Sequence, residues 1–224
     1  MYYLILAFFA FLPTFLVLRA FLKRDSQKAE PAGLIARTFF LGILSILPAV
    51  VMEMILSRMG VFLPPLWHNF FQAFLVAGLC EEAVKMWVVR GYTARRSGFD
   101  EITDGIVYTV TAGLGFAFYE NMMYGMGSSN TVLLLLLRGI TSVPLHALSS
   151  GFMGYFIGRS YFTGKNYFGR GLFYAVLIHG LYDFILFSPL ISDWLIIPLL
   201  IILYPLLFRL MRKAQNEDRQ LGLS

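Results

Sequence analysis

The sequence predicts an all-α polytopic membrane protein of about seven transmembrane helices, with the N-terminus outside and the C-terminus inside. Three observations predict it. Hydrophobic residues make up 58% of the 224-residue chain and charged residues only 14%, where a soluble domain carries roughly 25% charged. The mean hydropathy is +0.70. Apolar runs of spanning length recur along the chain, and basic residues gather in alternate connections between them.

A bilayer core of about 30 Å needs about 20 apolar residues in a helix. Seven stretches meet that need: residues 2–22, 34–56, 66–89, 102–124, 141–158, 171–187 and 194–211. The first has no basic residue before its apolar run and no small-residue cleavage site, so it reads as a retained anchor. Residues 131–140 are also apolar. They either extend the fifth span upstream past Pro144 or form a separate short helix. Residues 1–213 then make one transmembrane helical domain, and 214–224 a short polar cytoplasmic tail expected to be mobile.

Orientation follows from the preference of Lys and Arg for cytoplasmic loops. Lys23, Arg24, Lys28 and Arg37 flank the first connection, Arg90, Arg95 and Arg96 the third, and Arg159, Lys165 and Arg170 the fifth. Arg209, Arg212, Lys213 and Arg219 follow the last span, whereas the other three connections hold only Arg58. The net charge of +5 does not indicate nucleic acid, because its carriers lie between apolar runs rather than on one face. One cysteine, Cys80, excludes an internal disulfide.

Charged groups at mid-bilayer cost several kcal/mol and persist where they face a bundle interior and serve a function. Here they fall on four consecutive spans. The third carries Glu81, Glu82 and Lys85, the fourth Glu120 and Asn121, the fifth His146, and the sixth His179 and Asp183. Glu81 and Lys85 share a helix face, as do His179 and Asp183, each pair being four residues apart. Glu81 and Glu82 point about 100° apart, so one is expected to act while the other orients a neighbour. A rise of 1.5 Å per residue places Glu81 and His179 roughly 12–15 Å from the cytoplasmic end of their spans. Ser150, Gly154 and Gly158 form a stripe of small residues that lets helices approach, and Gly113 and Gly115 offer another.

Weaker candidates have simpler readings. His68 lies near the outer interface. Asp100, Glu101 and Asp104 open the fourth span as helix caps, Arg138 snorkels or pairs with an acid, and Cys80 packs as a small residue.

The segments EEAVK at 81–85, DGIVY at 104–108, FAFYEN at 116–121, His146 before a glycine-rich helix, and HGLYDFIL at 179–186 together resemble the PrsW family of bacterial intramembrane proteases. The resemblance runs from about residue 30 to residue 186. It extends to the wider CAAX-prenyl-protease and bacteriocin-processing superfamily, with Glu120 where that superfamily has histidine and Asp183 where it often has asparagine. It implies a multi-pass protein of the bacterial cytoplasmic membrane. The implied activity is site-1 cleavage of a single-pass anti-sigma factor near its extracytoplasmic side, in envelope-stress signalling.

Peptide hydrolysis needs an activated water and a stabilised oxyanion. Glu81 is expected as the base, with Glu82 assisting or orienting. His179 and His146 would polarise the carbonyl or protonate the leaving amine, Asp183 would fix a histidine tautomer, and Glu120 would share protons with the cluster. No cofactor is required in this expectation. The alternative is one divalent metal such as zinc, held by Glu81, Glu120, His146 and His179, although no HExxH motif is present. The competing class is a proton-coupled transporter with the same residues as a relay, but no internal repeat accompanies them. The expected partners are a membrane-anchored protein substrate and the lipid bilayer, without nucleic acid.

Overall fold

The structure is a computed structural model that describes residues 1–25 and 28–223, and no strand occurs among the described residues. Helix α1 is Tyr2–Leu22, α2 Ala32–Leu44 and α3 Ile46–Ser57. Helix α4, Pro65–Phe71, runs through a π-helical stretch, Gln72–Gly78, into α5, Leu79–Gly91. Then come α6 (Ile102–Met126), α7 (Thr131–Ile140), α8 (Ser142–Phe162), α9 (Phe168–Phe187) and α10 (Ile196–Leu221).

Among the described residues, five stretches are long and apolar enough to cross a membrane: Tyr2–Leu22, Ala32–Gly60, Thr131–Phe162, Phe168–Phe187 and Asp193–Leu221. The other two expected spans are helical but carry the charges, Glu81, Glu82 and Lys85 in α5 and Asp104 and Glu120 in α6. Helix α6 explains how this is tolerated. Every residue from Ile102 to Ala117 is buried, so the helix is wrapped by protein rather than lipid.

Two breaks have one cause. A proline has no N–H and crowds the carbonyl four residues back. Pro48 accordingly interrupts the second span at Ser45, between α2 and α3, and Pro144 separates α7 from α8 at Thr141. Residues 131–140 are therefore a distinct helix.

The small-residue stripes bring backbones together. A Cβ on Gly154 would lie 2.2 Å from the Gly105 carbonyl oxygen, and one on Gly158 would lie 2.2 Å from that of Ile102, which locks α8 to α6.

Residues 23–25, 28–31, 92–101 and 163–167 share one end of the bundle with the last turns of α10. Lys28 pairs with Asp100, and Arg159 with Glu217 at 2.9 Å. The opposite end holds the N-terminus, where the Tyr2 hydroxyl donates to the Gly125 carbonyl. The tail differs from expectation. Residues 214–221 continue α10 as helix rather than as a mobile segment. Ala214 and Asp218 are buried, and Asp218 accepts the backbone N–H groups of Ile102 and Thr103 at 2.6 and 3.1 Å. A buried acceptor for the otherwise unpaired first amides of α6 holds the last turns in place.

Candidate functional site

The site is assembled at the middle of the bundle from α5, α6, α8 and α9. Directly before α5 the chain is π-helical over Gln72–Gly78. The wider turn resets the face that α5 presents, a device common beside functional residues. From that reset face, Glu81, Glu82 and Lys85 are all buried.

Lys85 is the internal counter-ion. Its Nζ donates to Glu81 Oε2 at 3.1 Å, to Glu82 Oε1 at 2.9 Å and to His146 Nδ1 at 2.9 Å. It also lies 4.3 Å from the centre of the Phe116 ring. With three N–H donors and three acceptors, the ammonium is fully satisfied.

The two adjacent glutamates part company. Glu82 Oε1 accepts from Lys85, from the Ser149 hydroxyl at 3.0 Å and from His179 Nδ1 at 2.8 Å. Glu81 lines a cavity of about 550 Å³, and its Oε2 lies 3.7 Å from His179 Nε2 and 3.9 Å from His146 Nδ1. Those separations exceed a hydrogen bond. The two imidazole rings meet edge to face with centroids 5.2 Å apart.

Each histidine is backed by carboxylate. His146 Nε2 donates to Glu120 Oε2 at 2.9 Å, and His179 Nδ1 donates to Glu82. Asp183 adds an oxygen 3.3 Å from His179 Nε2. Glu120 is in turn held by Arg138 at 2.8 Å, and Arg138 also donates to Asn121 and Ser142. All six sequence candidates thus fall in one cluster. Glu81, Glu120, His146, His179 and Asp183 line the cavity, and Glu82 stands behind them.

The structure adds residues the sequence reading passed over. Glu53 of α3 lines the cavity, as do Gln72, Tyr124 and Tyr182. Glu53 was legible as an acid in an otherwise apolar span; Ser149, an ordinary helical serine, carried no signal. His68 stands apart, with Nδ1 donating to the Gly60 carbonyl at 2.9 Å. The cavity runs from the glutamate and histidines to Gly127 and Phe187, at the end of the bundle away from the basic connections.

Glu81, His146 and His179 offer ligand atoms that lie within 4.8 Å of one another. A divalent cation fits this set in donor type, and a carboxylate behind each imidazole is the usual way of orienting a metal-bound histidine. Glu120 is outside the set, as the residue behind His146. Lys85, at His146 Nδ1, is the neighbour an ion would displace.

Residues 30–211 match the family model described as PrsW family intramembrane metalloprotease. The chain is 34% identical to Protease PrsW of Geobacillus kaustophilus, over 79% of this chain and 77% of that one. It is 31% identical to Protease PrsW of Bacillus subtilis, over 92% and 94%. With Protease PrsW of Clostridioides difficile it shares 33% identity over 88% and 86%. No solved structure matches the chain. A multi-pass helical bundle matched over most of its length by these bacterial proteins belongs to the PrsW family of intramembrane proteases, enzymes of the bacterial cytoplasmic membrane.

Proposed function

We propose that the chain cleaves a peptide bond of a single-pass, membrane-anchored anti-sigma factor, on the extracytoplasmic side of the membrane, with Glu81 as the base that activates water. The observation that carries this reading is the gap bounded by Glu81 Oε2, His146 Nδ1 and His179 Nε2. Its 3.7 and 3.9 Å separations are too long for direct bonds and suited to one bridging water or ion at the floor of the cavity. The cavity's extension toward Gly127 and Phe187, away from the basic connections, supports entry from the extracytoplasmic side.

Each neighbour then has a task. Lys85 holds Glu81 toward the gap and offsets the charge of both glutamates. His146, donating to Glu120 and accepting from Lys85, is fixed in one tautomer and position. His179 lies between Glu82 and Asp183, so it can carry a proton to the leaving amine and take one back. Arg138 pairs with Glu120 and holds it behind His146. Burial of Glu81, Glu82, His146 and His179 lowers the local dielectric and strengthens these interactions at the moment of attack. Glu81, His146 and His179 would also hold a divalent ion, and such an ion would acidify a bound water and polarise the scissile carbonyl.

The test is co-expression with a tagged single-pass anti-sigma factor. Wild type is expected to release the shortened product, and Glu81→Gln and His179→Ala to leave the substrate intact while still reaching the membrane. Unchanged cleavage by both variants would overturn the assignment. Metal analysis of purified protein separates the two versions of the chemistry. About one zinc per chain, lost in His179→Ala, is expected if the ion resides at this site. Full activity in protein free of metal would remove the ion from the mechanism.

A further inference from the structure

A second group of acids lies at the other end of the bundle, where the connection after α1 meets the start of α6. Asp25, Glu30 and Asp104 present carboxylate oxygens that all lie within 4.8 Å of one another. Asp104 is fully buried. Its Oδ2 accepts the backbone N–H groups of Asp100 and Glu101 at 2.6 and 2.8 Å, and no N–H or hydroxyl among the described residues donates to the buried Oδ1. Both oxygens of Asp25 are likewise shielded, and the carboxyl of Glu30 lies within hydrogen-bonding reach of both Asp25 and Asp104. Glu30 accepts from the Tyr108 hydroxyl.

Charge makes this arrangement unfavourable as it stands. Among the described residues, no Lys, Arg or His pairs with any of the three acids. The basic side chains nearest in sequence are engaged elsewhere: the Arg24 guanidinium sits 3.5 Å over the Phe208 ring, and Lys28 is exposed and bound to Asp100. Three carboxylates in one small volume, partly out of water, repel one another. Burial and the negative charge of Asp104 push Asp25 up to about 7 and Glu30 up to about 9. Backbone capping accounts for one oxygen of Asp104 and for none of Asp25. An oxygen-only set of three clustered carboxyls, with no basic side chain among the described residues to balance it, is the donor chemistry that hard divalent cations take.

We propose that Asp25, Glu30 and Asp104 bind one hard divalent cation, Mg²⁺ or Ca²⁺, on the face of the bundle opposite the proteolytic cavity. The ion joins the connection after α1 to the first turn of α6, the helix whose far end carries Glu120. It therefore clamps the bundle where α1, α2, α6 and α10 converge. This site is independent of the proteolytic reading: its ligands are all oxygens, and none of them lines the cavity.

The experiment uses the full-length protein purified in detergent, stripped with EDTA and exchanged into metal-free buffer. Thermal unfolding is followed against MgCl₂ and separately against CaCl₂, with KCl matching ionic strength, and bound metal is counted after equilibrium dialysis. The same measurements on His179→Ala exclude an ion held at the proteolytic site. The expected result is a saturable rise in the unfolding midpoint with one of the two salts and one ion per chain, retained in His179→Ala. Asp25→Asn and Glu30→Gln should each weaken apparent affinity by at least about tenfold, because loss of a charged ligand exceeds the loss of an outer-shell partner. Both substitutions keep size and relieve repulsion, so the variants fold. Asp193→Asn, at the other end, should respond as wild type. The proposal is overturned if neither salt acts beyond KCl, or if the variants respond as wild type does. It is equally overturned if wild type ignores both salts while Glu30→Gln is more stable than wild type, the mark of a trio that merely shares protons.

Discussion

The ammonium of Lys85 lies 2.9 Å from Nδ1 of His146, on a helix that sequence separates from it by 61 residues, and the same ammonium spans Glu81 and Glu82. Lys85 thus offsets the charge and sets the direction of the groups around the gap. Replacing it by Met keeps the apolar stem but strands two buried carboxylates. Leaving buried charge unpaired costs about 3–5 kcal/mol. Lys85→Met is expected to lower the unfolding midpoint in detergent and to abolish substrate cleavage. Adding Glu82→Gln should restore part of the stability and none of the activity, since the two residues share one network. A double variant no more stable than Lys85→Met would show that the charges are not coupled in this way.

The adjacent glutamates should separate in function. Glu81 faces the cavity, whereas Glu82 is consumed by Lys85, Ser149 and His179. Glu81→Gln removes the base and is expected to lower cleavage at least about a thousandfold, near the upper range for removal of an acid–base group. Glu82→Gln leaves the base in place, disturbs the orientation of His179 together with the partners Lys85 and Ser149, and should cost about 10–100-fold, as for other outer-shell partners of a histidine. Cleavage rates on one tagged substrate, normalised to the amount of membrane-inserted enzyme, measure both. Equal loss in the two variants would mean that the division of labour read from the geometry is wrong.

Much of this was legible in residues alone, for physical reasons. Glu81, Glu120, His146, His179 and Asp183 stood out because an ionisable group in an apolar span has few places to go but inward. The stripe Ser150, Gly154 and Gly158 announced a close helix contact because only small residues permit one. Other features needed three dimensions. The hydrogen bond from Ser149 to Glu82 depends on which face of α8 meets α5, and that follows from the break at Thr141 and the π-helical stretch before Leu79. The polarity of residues 214–221 suggested a mobile tail, yet the helix runs on because Asp218 finds the first amides of α6, more than a hundred positions earlier in the chain. Glu53 meets the same criterion, an acid in an apolar span, and its place in the cavity follows from the packing of α3 against α5.

The contact between α6 and α8 allows a stringent steric test. A Cβ on Gly154 would sit 2.2 Å from the carbonyl oxygen of Gly105, a backbone atom that cannot turn aside. The helices must then separate, which draws α8, and with it His146, away from α6 and Glu120. Overpacking of this kind costs about 1–3 kcal/mol. Gly154→Ala is therefore expected to lower the unfolding midpoint and to reduce cleavage. Gly169→Ala, where nothing lies within 4 Å of the added carbon, should change neither. A stable, fully active Gly154→Ala would mean that the two helices are not as close as described.

Asp218 provides the clearest case of a distant residue fixing a local one. Its carboxylate accepts the N–H groups of Ile102 and Thr103 and the Thr103 hydroxyl, the last at 2.6 Å, so α10 caps the helix that carries Glu120. Anionic side chains at a helix N-terminus satisfy unpaired amides and complement the helix dipole. Asp218→Ala removes the acceptor and leaves those amides buried, at a cost of about 2 kcal/mol. Asp218→Asn keeps one carbonyl acceptor and should fall between Ala and wild type. Truncation before residue 214 should destabilise at least as much as Asp218→Ala, because it also removes Glu217 from Arg159 and from the Tyr155 hydroxyl. Unfolding midpoints of the three variants, measured side by side in one detergent, give the order. A truncated chain as stable as wild type would show that the C-terminal turns are dispensable and that α6 is capped by other means.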